Sequence, residues 1–363
     1  MINVTIITRV LCVAALVTMS LSSDSKLVID NDAGGDDAIA IFLALNFEKY
    51  FNGPKLVGLT TANGNTNEDN VCTNNQRILK IANREDVPIF RGAKRSLVTT
   101  PLTVGYYGDD GLGDTNDVYH NLVEPQKEPA ALALIELSKQ YRGQLIVVAV
   151  GALTNIALAI SLDNGFLGRL KHLYVGGGHI HDSNCPDAEF NAHMDVEAYH
   201  IIAQNATPEK VTVVPFSQVK AYLNFDKAWR QDVLGKIDTD IVKAMNKFEN
   251  VPLSKEASWT ALDPAVVAAV VHPELIEEYK YSKNDIILCG ENRGKNTNTF
   301  VDDKDDANVR VIYKFKHDKF KKFYINVFSA ELSTRNNDTR LPGVVTHFDK
   351  LENIDKLRKD VDD

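Results

Sequence analysis

Short apolar runs alternate along this chain with stretches in which apolar residues recur every three or four positions. Residues 26–30, 56–61, 87–90, 145–150, 173–175 and 211–215 read as strands. Residues 36–47, 67–82, 129–140, 153–160 and 196–203 read as helices. Leu27-Val28-Ile29 has no polar alternation, as expected of a strand buried on both faces. The alternation predicts βαβ units and hence an α/β fold: a mostly parallel, Rossmann-like open sheet flanked by helices. Residues 308–312 and 323–327 read as a late strand pair, a β-rich C-terminal addition. The basic cluster Lys314, Lys316, Lys319, Lys321 and Lys322 reads as the exposed face of that pair.

The start of the chain follows a different pattern. Residues 1–22 have the make-up of a secretory signal, with Arg9, an apolar core over 10–17, and small residues Ser20, Ser22 and Ser23. The apolar run is too short to span a bilayer, and no later run approaches its length. The expectation is a secreted, extracellular protein with a single domain over 23–363. Net charge is −9 and no basic stripe stands out, which argues against nucleic acid as a partner. Of four cysteines, Cys12 lies in the signal. Cys72, Cys185 and Cys289 allow at most one internal disulfide, and no CxxC pair suggests zinc.

Candidate chemistry begins where the first strand ends. In Asp30-Asn31-Asp32-Ala33-Gly34-Gly35-Asp36-Asp37-Ala38, four carboxylates and two glycines join an apolar strand directly to a helical pattern. Such a turn lies at the carboxyl edge of the sheet, where open α/β folds bind ligands. A solvated acidic helix start would account for Asp36 and Asp37. It does not account for Asp30 beside the strand, or for Asp32. So dense a negative cluster suits a hard cation with oxygen ligands. Four further polar segments, three of them at predicted strand ends, join this set: residues 60–65, 150–155, 176–191 and 259–264. Together they supply amides and carboxylates suited to a polyhydroxyl ligand beside a cation. Taken singly, Asn65 suits an ordinary turn, and Asp263-Pro264 an ordinary helix start with Asp at the N-cap.

These motifs in this order resemble the inosine–uridine-preferring nucleoside hydrolase family, and its secreted animal members most. The resemblance rests on Asp30–Ala38, Gly64-Asn65, Gly-Ala-Leu-Thr-Asn at 151–155, Ala-Glu-Phe-Asn at 188–191, and Asp263, and it spans roughly residues 26–330. It implies that Asp32, Asp37 and Asp263 bind Ca²⁺ with the Val150 carbonyl. It implies that Asp32 is also the general base toward the attacking water, and that Asp30 supports the site from behind. Asp36, Asn65, Asn184, Glu189 and Asn191 are implied to hold ribose hydroxyls. Two positions depart from the family pattern. Leu262 stands where members often carry His before the late aspartate, and Tyr107 stands where many have His before a glycine. Tyr107 and Trp259, with Tyr106, are expected to border the base.

The implied activity is calcium-dependent hydrolysis of ribonucleosides, purine (inosine) preferred, with a small nucleoside as partner and a homo-oligomer as the family's habit. The alternatives are a broad or uridine-preferring nucleosidase, or a secreted nucleoside binder without turnover. A phosphatase of the Asp-x-Asp type fits Asp30-Asn31-Asp32 but not Gly34, where Thr or Val is expected. A helix–loop–helix calcium loop would need Glu where Ile41 stands. Sequons begin at Asn205 and Asn337, the first weakened by Pro208.

Overall fold

The computed structural model describes residues 24–103, 105–181 and 185–337. The expected signal, Asn184 and the rest of the Asn337 sequon lie outside these. The strands are β1 (Lys26–Asn31), β2 (Lys55–Thr61), β3 (Ile89–Phe90), β4 (Leu145–Ala149), β5 (His172–Gly176), β6 (Val211–Val214), β7 (Phe225–Asp226), β8 (Ser258–Trp259), β9 (Ile276–Ile286), β10 (Asn296–Val301) and β11 (Val309–Phe315). The α-helices are α1 (Gly35–Phe51), α2 (Glu68–Ile81), α3 (Ala130–Gln140), α4 (Thr154–Leu162), α5 (Phe166–Arg169), α6 (Phe190–Met194), α7 (Val196–Asn205), α8 (Phe216–Tyr222), α9 (Asp240–Phe248), α10 (Asn250–Lys255), α11 (Leu262–Val271) and α12 (His317–Asn337).

Nine strands form one sheet in the order β10-β9-β11-β6-β5-β4-β1-β2-β3, and β7 pairs with β8 separately. The pairings from β3 to β6 are parallel, as is β6 with β11. β9 runs antiparallel to both β10 and β11. The α/β class, the parallel sheet and the β-rich C-terminal part match the expectation. Successive residues of β1 serve opposite faces, as strand geometry requires. Leu27 and Ile29 join the core with Phe42 of α1, Val267 of α11 and Phe328 of α12. Val28 joins the other core with Leu134 of α3, Ile156 of α4 and Tyr199 of α7.

α1 is buried along most of its length, from Gly35 to Asn46, and packs on α11, whose residues are all buried. That burial explains the all-round apolar sequence of both helices. Each begins at the sheet's carboxyl edge with acid in its first turn: Asp36 and Asp37 on α1, Asp263 on α11.

Three expectations are corrected. Residues 323–327 are not a strand but the middle of α12, where Phe323, Tyr324, Val327 and Phe328 turn a helical stripe onto the core. The basic cluster therefore straddles the end of β11 and the start of α12. The C-terminal strand group is β9–β11 instead; β9 and β10 carry many polar side chains and lack the apolar runs that mark buried strands. Helix α11 starts two residues early, with Ala261 at its N-cap and Asp263 inside the first turn. Among the described residues no disulfide is formed, and no helix is long and apolar enough to cross a membrane.

Candidate active site

The turn after β1 is built around Asp37. Its side chain accepts from the backbone N–H of Asp32 (3.2 Å) and of Gly34 (2.8 Å), closing the first turn of α1. Ala33 takes a left-handed conformation, φ 36°, to make the bend. Its N–H donates to Asn31 Oδ1 (3.2 Å), and its carbonyl accepts from Asn74 Nδ2 of α2 (3.1 Å). The second polar segment then closes over the turn. Asn65 N–H donates to Asp32 Oδ2 (2.7 Å), and Asn65 Nδ2 lies 3.1 Å from Asp32 Oδ1 and 3.2 Å from Asp37 Oδ2. Asp30 is held from behind: its Oδ1 accepts from Thr60 Oγ1 (2.5 Å) and Asn155 Nδ2 (2.8 Å).

Asp36, Asp37 and Asp263 each offer an oxygen within 4.8 Å of the others, and all three are buried. The structure thus puts Asp36, expected as a ribose ligand, within the acidic cluster itself. Asp32 adjoins the cluster through Asp37 and the shared Asn65 amide. Burial pushes Asp32 up to about 7, and the charge of Asp36 adds to this. Burial raises Asp36 to about 6. Burial and then neighbouring carboxylates hold Asp37 and Asp263 well above the usual range. Four acids in one buried site are costly without a positive charge to offset them.

A cleft of about 260 Å³ opens onto this cluster. Asp36, Asn65, Val150 and Asp263 line it, with Glu189 and Asn191 at the start of α6. Glu189 Oε2 accepts from Gly178 N–H (2.7 Å) and Ala192 N–H (2.9 Å), capping α6. Asn191 Nδ2 donates to the carbonyls of Val150 (2.9 Å) and Gly176 (3.1 Å), tying the ends of β4 and β5 together. Of the sequence-derived set, Asp36, Asn65, Tyr107, Val150, Glu189, Asn191 and Asp263 line the cleft. Asp32 and Asp37 lie fully buried beneath it.

Trp259 does not line this cleft. Its indole is buried, donates to Glu249 Oε1 (2.7 Å), and packs against Phe225, Trp229 and Tyr324. Glu249 is also bound by the buried Arg230 (Nε–Oε2, 2.8 Å). The aromatic residues that do line the cleft beside Tyr107 are Tyr106, His179, Phe190 and Phe216. His179, Phe190 and Phe216 were missed as site residues by sequence reasoning. Each follows closely on a strand end or a polar motif: His179 after Gly176-Gly177-Gly178, Phe190 after Glu189, Phe216 after β6. That position was the available signal. Arg230 and Glu249 carried none.

A family model described as inosine-uridine preferring nucleoside hydrolase matches residues 27–322. A uridine nucleosidase 1 of Arabidopsis thaliana is 34% identical over 262 residues, covering 70% of this chain and 76% of that protein. An inosine-uridine preferring nucleoside hydrolase of Crithidia fasciculata is 29% identical, covering 69% and 80%. A solved plant nucleoside hydrolase superposes with a TM-score of 0.74 at 26% identity, covering 85% of this chain and 99% of its own. The matched span takes in both helices whose first turns form the acidic cluster and every residue lining the cleft beside it. The chain belongs to the inosine-uridine preferring nucleoside hydrolase family.

Proposed function

We propose that this protein is a secreted, calcium-dependent nucleosidase that cleaves the N-glycosidic bond of ribonucleosides, with purine nucleosides and inosine first, giving free base and ribose. The observation that carries the reading is the convergence of Asp36, Asp37 and Asp263 within 4.8 Å beside a cleft that also presents Glu189 and Asn191. Buried carboxylates whose proton affinity is raised by burial and mutual repulsion form a donor set that fits a hard divalent ion. Asp32, Asp36, Asp37 and Asp263 would hold it, with the Val150 carbonyl, whose second lone pair remains beside its bond from Asn191. When bound, the ion would supply Lewis-acid activation of the attacking water.

The chain's own groups do the rest. Asp32, its two oxygens oriented by the Asn65 N–H and amide, accepts the proton of the attacking water. Asp36, Asn65, Glu189 and Asn191 hold the ribose hydroxyls as the ring flattens toward an oxocarbenium ion. The bond from C1′ to the base nitrogen breaks, its electron pair leaves with the base, and the water oxygen bonds to C1′. The faces of Tyr106, Phe190 and Phe216 suit a bicyclic base.

The uridine nucleosidases among the relatives favour a second reading, pyrimidine preference. Incubation with inosine, adenosine, guanosine and uridine, with calcium and with chelator, tests both. Free hypoxanthine released only with metal is expected. A uridine kcat/KM equal to or above that for inosine removes the purine preference. Nucleoside bound without turnover would make the protein a binder.

A further inference from the structure

β10 is an edge strand of the sheet and, among the described residues, pairs with β9 only. Its run Asn296-Thr297-Asn298-Thr299 lacks the apolar residues by which a strand packs, yet Asn296 is buried. Asn296 and Asn298, two residues apart and so on one face of the strand, both close on His179. Asn296 Oδ1 accepts from the His179 N–H (3.1 Å), and Asn298 Nδ2 donates to the His179 carbonyl (3.1 Å). The Asn296 N–H in turn donates to His181 Nε2 (3.1 Å). Asn298 is itself fixed on β9, where its Oδ1 accepts from Asn284 Nδ2 (3.0 Å).

The segment held in this way borders the cleft. Gly178 takes φ 82°, a conformation that favours glycine, and a β-carbon there would lie 2.8 Å from Asn296 Oδ1. The asparagine thus packs flush against the glycine. The Gly178 N–H donates to Glu189 Oε2 (2.7 Å), and both His179 and Glu189 line the cleft. On its other side the segment is bonded to the start of α8. There the Phe216 N–H donates to the Gly178 carbonyl and the Ile180 N–H to Ser217 Oγ, each at 2.9 Å. The turn before β10 is anchored by Arg293, whose guanidinium donates to both carboxylate oxygens of Glu197 on α7 (2.8 and 2.9 Å).

We infer that Asn296 and Asn298 are positioning residues for substrate binding. Through residues 178–181, β10 sets where His179 and Glu189 stand in the cleft. The inference rests on the ribonucleoside reading above, in which Glu189 holds a ribose hydroxyl. Asp36, Asp37 and Asp263 come from α1 and α11, which these asparagines do not hold. The edge strand therefore acts on substrate affinity and leaves the attack of water untouched.

Asn296→Ala removes both the acceptor and the surface packed on Gly178. KM for inosine should rise about 5- to 50-fold, with kcat changed by less than about threefold, because the His179 N–H is left unpaired and the segment shifts. Asn296→Asp keeps an acceptor at Oδ1, and Nδ2 has no hydrogen-bond partner to lose among the described residues. Its KM should return to within about threefold of wild type. Asn298→Ala, at a half-buried position, should raise KM in the same direction. Thr297→Ala, at an exposed position of the same strand, should leave KM unchanged. A kcat loss as large as the KM rise, no rise in either asparagine→alanine variant, an Asp variant as impaired as the Ala variant, or an equal rise in Thr297→Ala would each overturn the inference. Amide hydrogen exchange reads the clamp without turnover. Peptides covering residues 176–181 should exchange at least about tenfold faster in Asn296→Ala and at the wild-type rate in Thr297→Ala. Unchanged exchange in Asn296→Ala rejects the clamp. Wild-type protein inert toward every nucleoside would remove the hydrolase reading, and the exchange arm would still decide whether β10 holds the segment.

Discussion

Gly64 lies directly against Asp32: a β-carbon on Gly64 would sit 1.8 Å from Asp32 Oδ2. No side chain fits there unless Asp32 moves. Gly64→Ala should therefore cost activity about 10²-fold or more, as loss of a positioned base does. Asp32→Asn should do the same with calcium still bound, which isothermal titration checks. Near-normal turnover by a calcium-loaded Asp32→Asn protein removes Asp32 as the base.

Asp30 is predicted to matter less. It contacts Thr60 and Asn155 and takes no part in the acidic cluster. Asp30→Asn keeps an oxygen for the same two donors, so kcat/KM should fall about tenfold at most, with a lowered melting temperature as the larger effect. A loss as deep as that of Asp32→Asn would place Asp30 in the chemistry.

Calcium should stabilise the protein more at pH 8 than at pH 5. Asp32, with a folded value of about 7 against an ordinary 3.8, is neutral in the folded metal-free protein where the unfolded chain is already ionised. Its contribution to stability is present below about pH 4 and is lost as pH rises through 7. Asp36, raised to about 6, acts in the same direction. The melting temperature of chelated protein should fall between pH 5 and 8, and the rise on adding calcium should grow. A calcium effect independent of pH over that interval contradicts the assignment.

Base preference should respond to Phe190 and Phe216 and not to Trp259. Alanine at either phenylalanine should lower kcat/KM for inosine more than for uridine. Trp259→Phe deprives Glu249 of a donor in a buried site, at a cost of about 1.5–3 kcal/mol in stability, with the inosine-to-uridine ratio unchanged. Steady-state kinetics and denaturant titration of the three variants separate the two effects.

Expressed in a eukaryotic cell, the protein should appear in the medium with its N-terminus near residue 23. Intact mass of the secreted product tests this, and an unprocessed N-terminus contradicts it.

The parallel sheet was legible because its buried strands are apolar runs, and the acidic turn because four carboxylates beside such a run have no use in a core. The strand–helix alternation even located Val150 and the 188–191 segment at the right edge. What failed were elements whose local pattern is overridden by distant packing. Residues 323–327 have a strand's composition and become helix because α12 buries one stripe against α1. Trp259 sits near the site in sequence yet turns its ring inward, because Glu249 and Arg230 offer a buried partner that no local pattern announces.

The two helices that supply the acidic cluster stand near opposite ends of the domain's sequence. During synthesis α1 emerges early, and its carboxylates remain in water until α11 arrives to pack beside it. Docking α11 is therefore the step that adds Asp263 to the acids already gathered at the first turn of α1. On the metal reading proposed above, a divalent ion available at that moment would lower the cost of the final association and so link ion supply to completion of the fold. A product truncated before α11 would keep Asp32, Asp36 and Asp37 in their turn but lack Asp263, the carboxylate that completes the cluster. On the calcium reading proposed above, free calcium in the compartment where the chain is made would raise its yield of folded protein.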